Sequence, residues 1–280
     1  MKVLTAVVNN PIFIEIQYYT LKKYMKCDYE FIVFNDAKGF PDFTNGGDVS
    51  VKNIIQKVCS SLNIKCVNIP NNKHINEESA CIRCADSMNY MLEYQKQHPD
   101  KYLIIDSDMF LIDNFNLSDY DNYDCAIVLQ SRMNNRYNYF WNGLVYFDIN
   151  KMTELHLLNW NLNGFDVGGM MTYWLNNKTK SIPITDELRW GNKDFNKDNI
   201  YYIRHLYSGT WDDSEMPECV RKNPKLIEFI KNDVRNQNNK YYCEIYDKKF
   251  LHYRGGGNWE RRNMRLHVNL TLQLRDSLLD

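Results

Sequence analysis

The residues whose types and spacing most clearly promise chemistry are two aspartates, Asp106 and Asp108, in the stretch KYLIIDSDMFLID, residues 101–113. Apolar side chains lead to them as a buried strand would. Alternation along an extended chain puts both carboxylates on one side, with Ser107 pointing away. Carboxylates that converge in this way repel one another unless something cationic lies between them. Hard oxygen ligands suit Mg²⁺ or Mn²⁺, which bind through one or two carboxylates together with substrate phosphates. The pair therefore points to a divalent ion, and the ion to a diphosphate. Short acidic strings also end strands as solvated turns, so the position of this one in the fold decides between the two readings.

A second candidate group lies near the other end of the chain, in FLHYRGGGNW, residues 250–259. A histidine, His252, stands at the end of a short strand and is followed by Arg254 and a turn of Gly255, Gly256 and Gly257. Neutral imidazole ligates metals. A guanidinium forks onto phosphate, and glycine lets the backbone approach a ligand closely. Taken alone, His252 reads equally as an ordinary surface or core residue.

Other candidate motifs carry less. Of the eight cysteines, Cys81 and Cys84 have metal-like spacing, but neither a second such pair nor a nearby histidine completes a site. They read as reduced thiols on a helix, and the cysteines are too dilute for a secreted disulfide framework. Asn-X-Ser/Thr occurs at Asn116, Asn177 and Asn269, as expected by chance in so asparagine-rich a chain.

The elements that must position these residues alternate through the first half. Val3–Val8 reads as a strand and Ile12–Met25 as a helix. Phe31–Phe34 is a second strand closed by Asn35 and Asp36. A helix carrying Val51, Ile55 and Leu62 precedes a third strand, Ile64–Ile69. One helical face from Ala80 to Leu92 then leads to a fourth strand, Tyr102–Ile105. Such alternation predicts a parallel sheet with helical crossovers, and unbroken apolar strands predict a sheet covered on both faces. Ligands of such sheets bind beyond the carboxyl ends of the strands, where Asp106 and Asp108 fall. Later strands are expected at Cys125–Leu129, Leu144–Phe147 and Phe250–Tyr253. A helix is expected from about Asp166 to Leu175, another through Leu226–Val234, and a last one along Leu266, Leu270, Leu274 and Leu278. Residues 176–222 show little periodicity and read as a long functional or mobile loop, or as elements the pattern hides.

The 280 residues suffice for one large core, with 44% hydrophobic and 25% charged residues and a net charge of −1. No basic surplus marks a nucleic-acid binder. The opening MKVLTAVVNNPIFIEI is too short and too interrupted for a signal peptide, and no apolar run nears the roughly 20 residues of a membrane span. A cytoplasmic protein is expected, folded as one domain over 1–280, with 1–113 forming a nucleotide-binding half and 114–280 an acceptor-side half with a C-terminal helix.

Together these motifs resemble the GT-A glycosyltransferases, and family 8 of the glycosyltransferases most closely, by motif order over residues 1–260. The resemblance implies an α/β fold: a GT-A (Rossmann-like), mostly parallel central sheet flanked by helices, with a smaller acceptor-side region. It implies Asp106, Asp108 and His252 as the protein ligands of Mn²⁺ or Mg²⁺. Arg83, on the helix before the motif strand, is implied as a donor contact. Trp141-Asn142-Gly143-Leu144-Val145 looks like the turn that frames the sugar, and Asp166 like an aspartate opening a helix beside it. Asn142 and Asp166 are also a natural turn residue and a natural helix cap. Where the family carries a lysine and a Pro-Trp pair after the late glycines, this chain has Asn258 and Trp259, leaving Arg254, Arg261 or Arg262 for the diphosphate.

The implied activity is transfer of a sugar from a nucleotide diphosphate, most simply a UDP-sugar, to a hydroxyl of a glycan, protein or small-molecule acceptor. The nucleoside is expected over Val8, Asn9, Asn10 and Asp36, and the diphosphate near Arg83, Ser107, Arg254, Gly255 and Gly256. Retention of anomeric configuration follows the family. An inverting enzyme would need a general base, for which Asp166, Asp186 and Asp213 are the candidates. A sugar nucleotidyltransferase would want a glycine-rich basic loop after the first strand, where Val7-Val8-Asn9-Asn10-Pro11 stands. A non-catalytic module on the same fold is the remaining alternative. The aromatic tract 176–222, with Trp190, Tyr207 and Trp211, is the expected acceptor region or a dimer surface.

Overall fold

A computed structural model describes residues 1–37, 50–72, 77, 79–190, 192, 195–256 and 264–279. Gly257, Asn258, Trp259, Arg261 and Arg262 lie outside the described residues. The first half runs β1 (Lys2–Val7), α1 (Ile12–Tyr24), β2 (Glu30–Asn35), α2 (Val51–Ser61), β3 (Lys65–Asn68), α3 (Ala80–Gln97) and β4 (Lys101–Ile105). Next come β5 (Met109–Leu111), β6 (Cys125–Arg132), β7 (Tyr137–Asp148), α4 (Thr172–Lys178), β8 (Phe195–Lys197), β9 (Ile200–Tyr202) and β10 (His205–Leu206). The chain closes with α5 (Glu218–Arg221), α6 (Pro224–Lys231), β11 (Glu244–Tyr246), β12 (Phe250–His252) and α7 (Met264–Leu279).

An eight-stranded sheet has the order β3-β2-β1-β4-β7-β6-β9-β8. Its first four strands are mutually parallel, β7 runs antiparallel to β4, and β9 returns parallel to β6. The chain lays down β1, β2 and β3 in one direction, then places β4 on the other side of β1. That reversal is the topological switch beyond which Rossmann-like sheets bind ligands. The fold is thus α/β, a mainly parallel, Rossmann-like sheet flanked by helices.

The strands are apolar at nearly every position because both faces are covered. Leu4, Tyr102 and Ile104 join one core with Met88, Met91 and Leu92 of α3 and Trp174 of α4. Val3, Val7, Leu103 and Ile105 point the other way, toward Ile14 of α1 and Val51 and Ile55 of α2. A second, four-stranded sheet, β10-β11-β12-β5, packs with α6 and α7 against the opposite side of α1, where Phe13 and Ile16 are buried. The helix α1 therefore lies between the two sheets, and this sandwich positions the site.

Three local expectations change. Gly143 does not precede a strand: Trp141, Asn142 and Gly143 lie inside β7 at a bulge in that strand, which is longer than its apolar stretch because Tyr137–Phe140 pairs with Leu129–Arg132 beyond the bulge. Asp166 does not cap a helix: its Oδ1 accepts the N–H of Val167, while left-handed Gly168 precedes a short 3₁₀ turn leading into α4. Residues 176–222 are not one long loop. They supply β8, β9, β10 and α5, and they bury Trp211 completely, its indole N–H bonded to the Cys243 carbonyl. Among the described residues, no helix is long and apolar enough to cross a membrane.

Candidate functional site

The acidic pair is shaped by a turn rather than by continued strand. The Asp106 N–H donates to the Gly143 carbonyl on β7 at 2.8 Å, and Met109 N–H donates back to the Asp106 carbonyl at 3.1 Å. Within the turn, Ser107 N–H donates to Asp106 Oδ1 at 2.8 Å. Gln17 of α1, fully buried, donates its amide to the carbonyls of Asp106 (2.8 Å) and Met109 (3.1 Å). These bonds fix both carboxylates on one side, as the sequence spacing implied.

The histidine arrives by strand pairing. The chain leaves the turn as β5, which pairs antiparallel with β12 so that Met109 faces His252. Tyr253 N–H donates to the Asp108 carbonyl at 2.9 Å. His252 Nε2 then lies 3.1 Å from Asp108 Oδ1, and Gly256 N–H donates to Asp108 Oδ2 at 2.7 Å. One ligand atom from each of Asp106, Asp108 and His252 lies within 4.8 Å of the others.

The electrostatics describe a site that wants positive charge. Burial, then repulsion from Asp108, pushes the Asp106 carboxyl up to about 7, against the pull of His252 and the Ser107 N–H. Burial also works against ionising Asp108, but His252 and the Gly256 N–H hold it below the usual carboxylate range. For His252, burial favours the neutral ring, yet Asp108 and Glu244 outweigh it and lift the imidazole to about 10. Without a metal, an imidazolium is the positive charge beside these carboxylates. The donor set of two carboxylates and one imidazole nitrogen, with a residual carboxylate repulsion to relieve, fits a divalent ion such as Mn²⁺ or Mg²⁺.

The other sequence candidates divide. Ser107 is buried in the turn, and Gly255, at φ +71°, and Gly256 complete the wall beside Asp108. Arg254 is exposed, with Nε 3.8 Å from Glu244 and its guanidinium over the Tyr242 ring. Asn142 reaches across to α3, its amide 3.5 Å from Cys84 Sγ. Burial raises the Cys84 thiol well above its usual value, and the nearby carboxylates of Asp106, Asp36 and Asp166 raise it further. Half-buried Cys84 therefore lies within electrostatic reach of all three acids. Cys81 and Cys84 are free thiols and belong to no group of metal-ligating side chains among the described residues.

Arg83 is half-buried and donates to the Glu77 carbonyl. Asp36, just past β2, accepts from Asn71 (2.9 Å) after β3 and from Ser87 (2.5 Å) on α3. Val8 is half-buried just past β1, and Asn9 is buried beside it. Asn10 has a structural task, accepting the Ile12 N–H at the start of α1 and donating to Thr271 of α7. Asp213 is bonded on the surface to Lys231 and Tyr241, and Asp186 is exposed in a turn ahead of Trp190.

Glu244 was not foreseen. It is buried, and Oε2 lies 2.8 Å from both His252 Nδ1 and the Tyr246 hydroxyl. The signal was the hairpin EIYDKKFLH, residues 244–252, in which a turn at Asp247 and Lys248, both at positive φ, sets Glu244 opposite His252. Gln17 left no signal, since a single polar residue on a helix looks solvent-facing in sequence. Trp141, half-exposed, stacks on Tyr246 at 5.1 Å and flanks the His252 ring at 5.0 Å.

No family model matches the chain, and no curated protein matches it. Among solved structures it is similar to galactosyltransferase LgtC in complex with donor and acceptor sugar analogs. The TM-score is 0.38 and the identity 13%, with 54% of this chain and 59% of that chain covered. An active-site mutant of LgtC gives 0.38 and 13%, covering 54% of this chain and 58% of that one. In both, the match spans less than two thirds of the other chain's length.

Proposed function

We propose that the protein is a metal-dependent glycosyltransferase that moves a sugar from a nucleotide-diphosphate donor, a UDP-sugar, to an acceptor hydroxyl with retention. The observation that carries this reading is the convergence of Asp106, Asp108 and His252 beyond β4, beside the point where strand order reverses. A paired-carboxylate and imidazole site in that crevice suits a cation and the diphosphate bound to it.

Asp106 and Asp108 supply carboxylate oxygens and His252 an imidazole nitrogen to a divalent ion, whose chemistry is Lewis-acid neutralisation of charge on a departing diphosphate. Arg83 and Arg254 add charge-assisted hydrogen bonds to the same group. Ser107, Gly255 and Gly256 line its approach. Val8, Asn9, Asn10 and Asp36 border the nucleoside. Asn142 and Asp166, grouped near Cys84, orient the sugar hydroxyls and stabilise positive character at the anomeric carbon. The acceptor, a glycan, protein or small molecule, enters from the 114–280 half.

Calorimetric titration of the protein with a panel of UDP- and GDP-sugars, with and without Mn²⁺, tests the reading. Binding of one donor only when metal is present is expected, and Asp108→Ala abolishes that metal dependence. Nucleotide-sugar binding indifferent to metal sinks the proposal. NMR of the released sugar then reads retention against inversion.

A further inference from the structure

Glu244 is a buried acid facing the candidate cation site from behind a ligand. Its place is set by the antiparallel pairing of β11 and β12, in which Glu244 stands directly opposite His252. Three donors converge on its carboxylate. Oε2 lies 2.8 Å from His252 Nδ1 and accepts the Tyr246 hydroxyl at 2.8 Å, while Oε1 accepts the Ser208 N–H at 3.2 Å. A carboxylate is acceptor only, so the ring must offer Nδ1–H to it. The remaining ring nitrogen, Nε2, is the one that points at Asp108, 3.1 Å away. Trp141 flanks the same ring at 5.0 Å.

We propose that Glu244 is a positioning residue, which holds His252 as the Nδ1–H tautomer and aims its Nε2 lone pair at a divalent cation between Asp106 and Asp108. The proposal rests on the metal reading above. A carboxylate bonded to the far nitrogen of a ligating histidine fixes both ring orientation and tautomer and strengthens the near nitrogen as a ligand. Tyr246 and Ser208 serve the arrangement by holding the carboxylate itself, so that it cannot swing away from the ring.

The test is titration of substrate-free protein with Mn²⁺ alone. Glu244→Gln is expected to bind about 10- to 100-fold more weakly than the natural protein, with circular dichroism unchanged. Affinity equal to that of the natural protein overturns the proposal. Failure of the natural protein itself to bind Mn²⁺ overturns the metal reading and the proposal with it. Because Glu244→Gln can lose the fold, long-range ¹H–¹⁵N NMR of the natural protein loaded with Mg²⁺ gives an independent answer. His252, assigned by its absence in His252→Gln, is expected as the Nδ1–H tautomer. An Nε2–H ring in the loaded protein overturns the assignment of Glu244.

Discussion

Gly256 donates its backbone N–H to the Asp108 carboxylate at 2.7 Å, joining residues 148 apart in the chain. This bond closes the candidate cation site. The glycine turn after β12 is thereby a wall of the acidic motif after β4, and the two halves of the site stand or fall together.

Gly256→Ala is the direct probe of that wall. A Cβ at this position would lie 2.5 Å from Tyr253 Cδ1 and 2.6 Å from Phe13 Cζ, so either these buried rings or the backbone must shift. Overpacking of this kind costs about 1–3 kcal/mol. Displacement of the N–H also strips Asp108 of a hydrogen bond. Urea unfolding is expected to show the stability loss, and Mn²⁺ titration a weaker site. A variant unchanged in both shows that this close approach is not needed.

Proton and metal compete for His252. Its pKa stands at about 10 in the metal-free fold, raised by Asp108 and Glu244 against the effect of burial. A histidine raised above its unfolded value near 6.5 stabilises the fold fully below about pH 6.5. That contribution is lost as pH climbs through about 10. A metal takes only the neutral ring, so apparent Mn²⁺ affinity is expected to rise about tenfold per pH unit. Below pH 7 the slope steepens, because Asp106, raised to about 7, gives up a second proton. Calorimetry between pH 6 and 8.5 reads the slope. A flat profile means that His252 is not a ligand.

Arg235 clamps the turn that carries Arg254. Its guanidinium forks onto buried Asp233, donates to the carbonyls of Tyr253 (3.1 Å) and Arg254 (2.8 Å), and lies over the Tyr253 and Tyr242 rings. Lysine keeps the charge but not the fork. Arg235→Lys is expected to cost about 1–3 kcal/mol through unmet carbonyl and carboxylate acceptors, read as a lower urea midpoint. An unchanged midpoint means that the stacked cation alone holds the turn.

Local patterning determined much of this protein. The βαβ order of the first half was legible because each strand is a short apolar run and each helix a separate periodic face. The convergence of Asp106 and Asp108 was read from strand alternation, whereas the structure brings the two carboxylates together through a turn. His252 was legible as a histidine ending a strand before glycines. None of these readings needs a partner distant in sequence.

Tertiary structure alone decided the rest, wherever a residue's meaning comes from its partner across space. Met109–Leu111 reads as more of the apolar motif, yet it is an edge strand of a second sheet, because β12 pairs with it. Asn142-Gly143 has turn chemistry, but it sits at an irregularity within β7, between Tyr137–Phe140 paired with β6 and Leu144–Asp148 paired with β4. Trp211 looked like a sugar platform and is core, since α6 and β11 close over it. Glu244 had no identity until a hairpin register placed it behind His252. The sequence by itself named the candidate atoms for ligating a cation. Only the pairing of β5 with β12 and of β12 with β11, contacts that no local periodicity records, decided which residues hold those atoms in place.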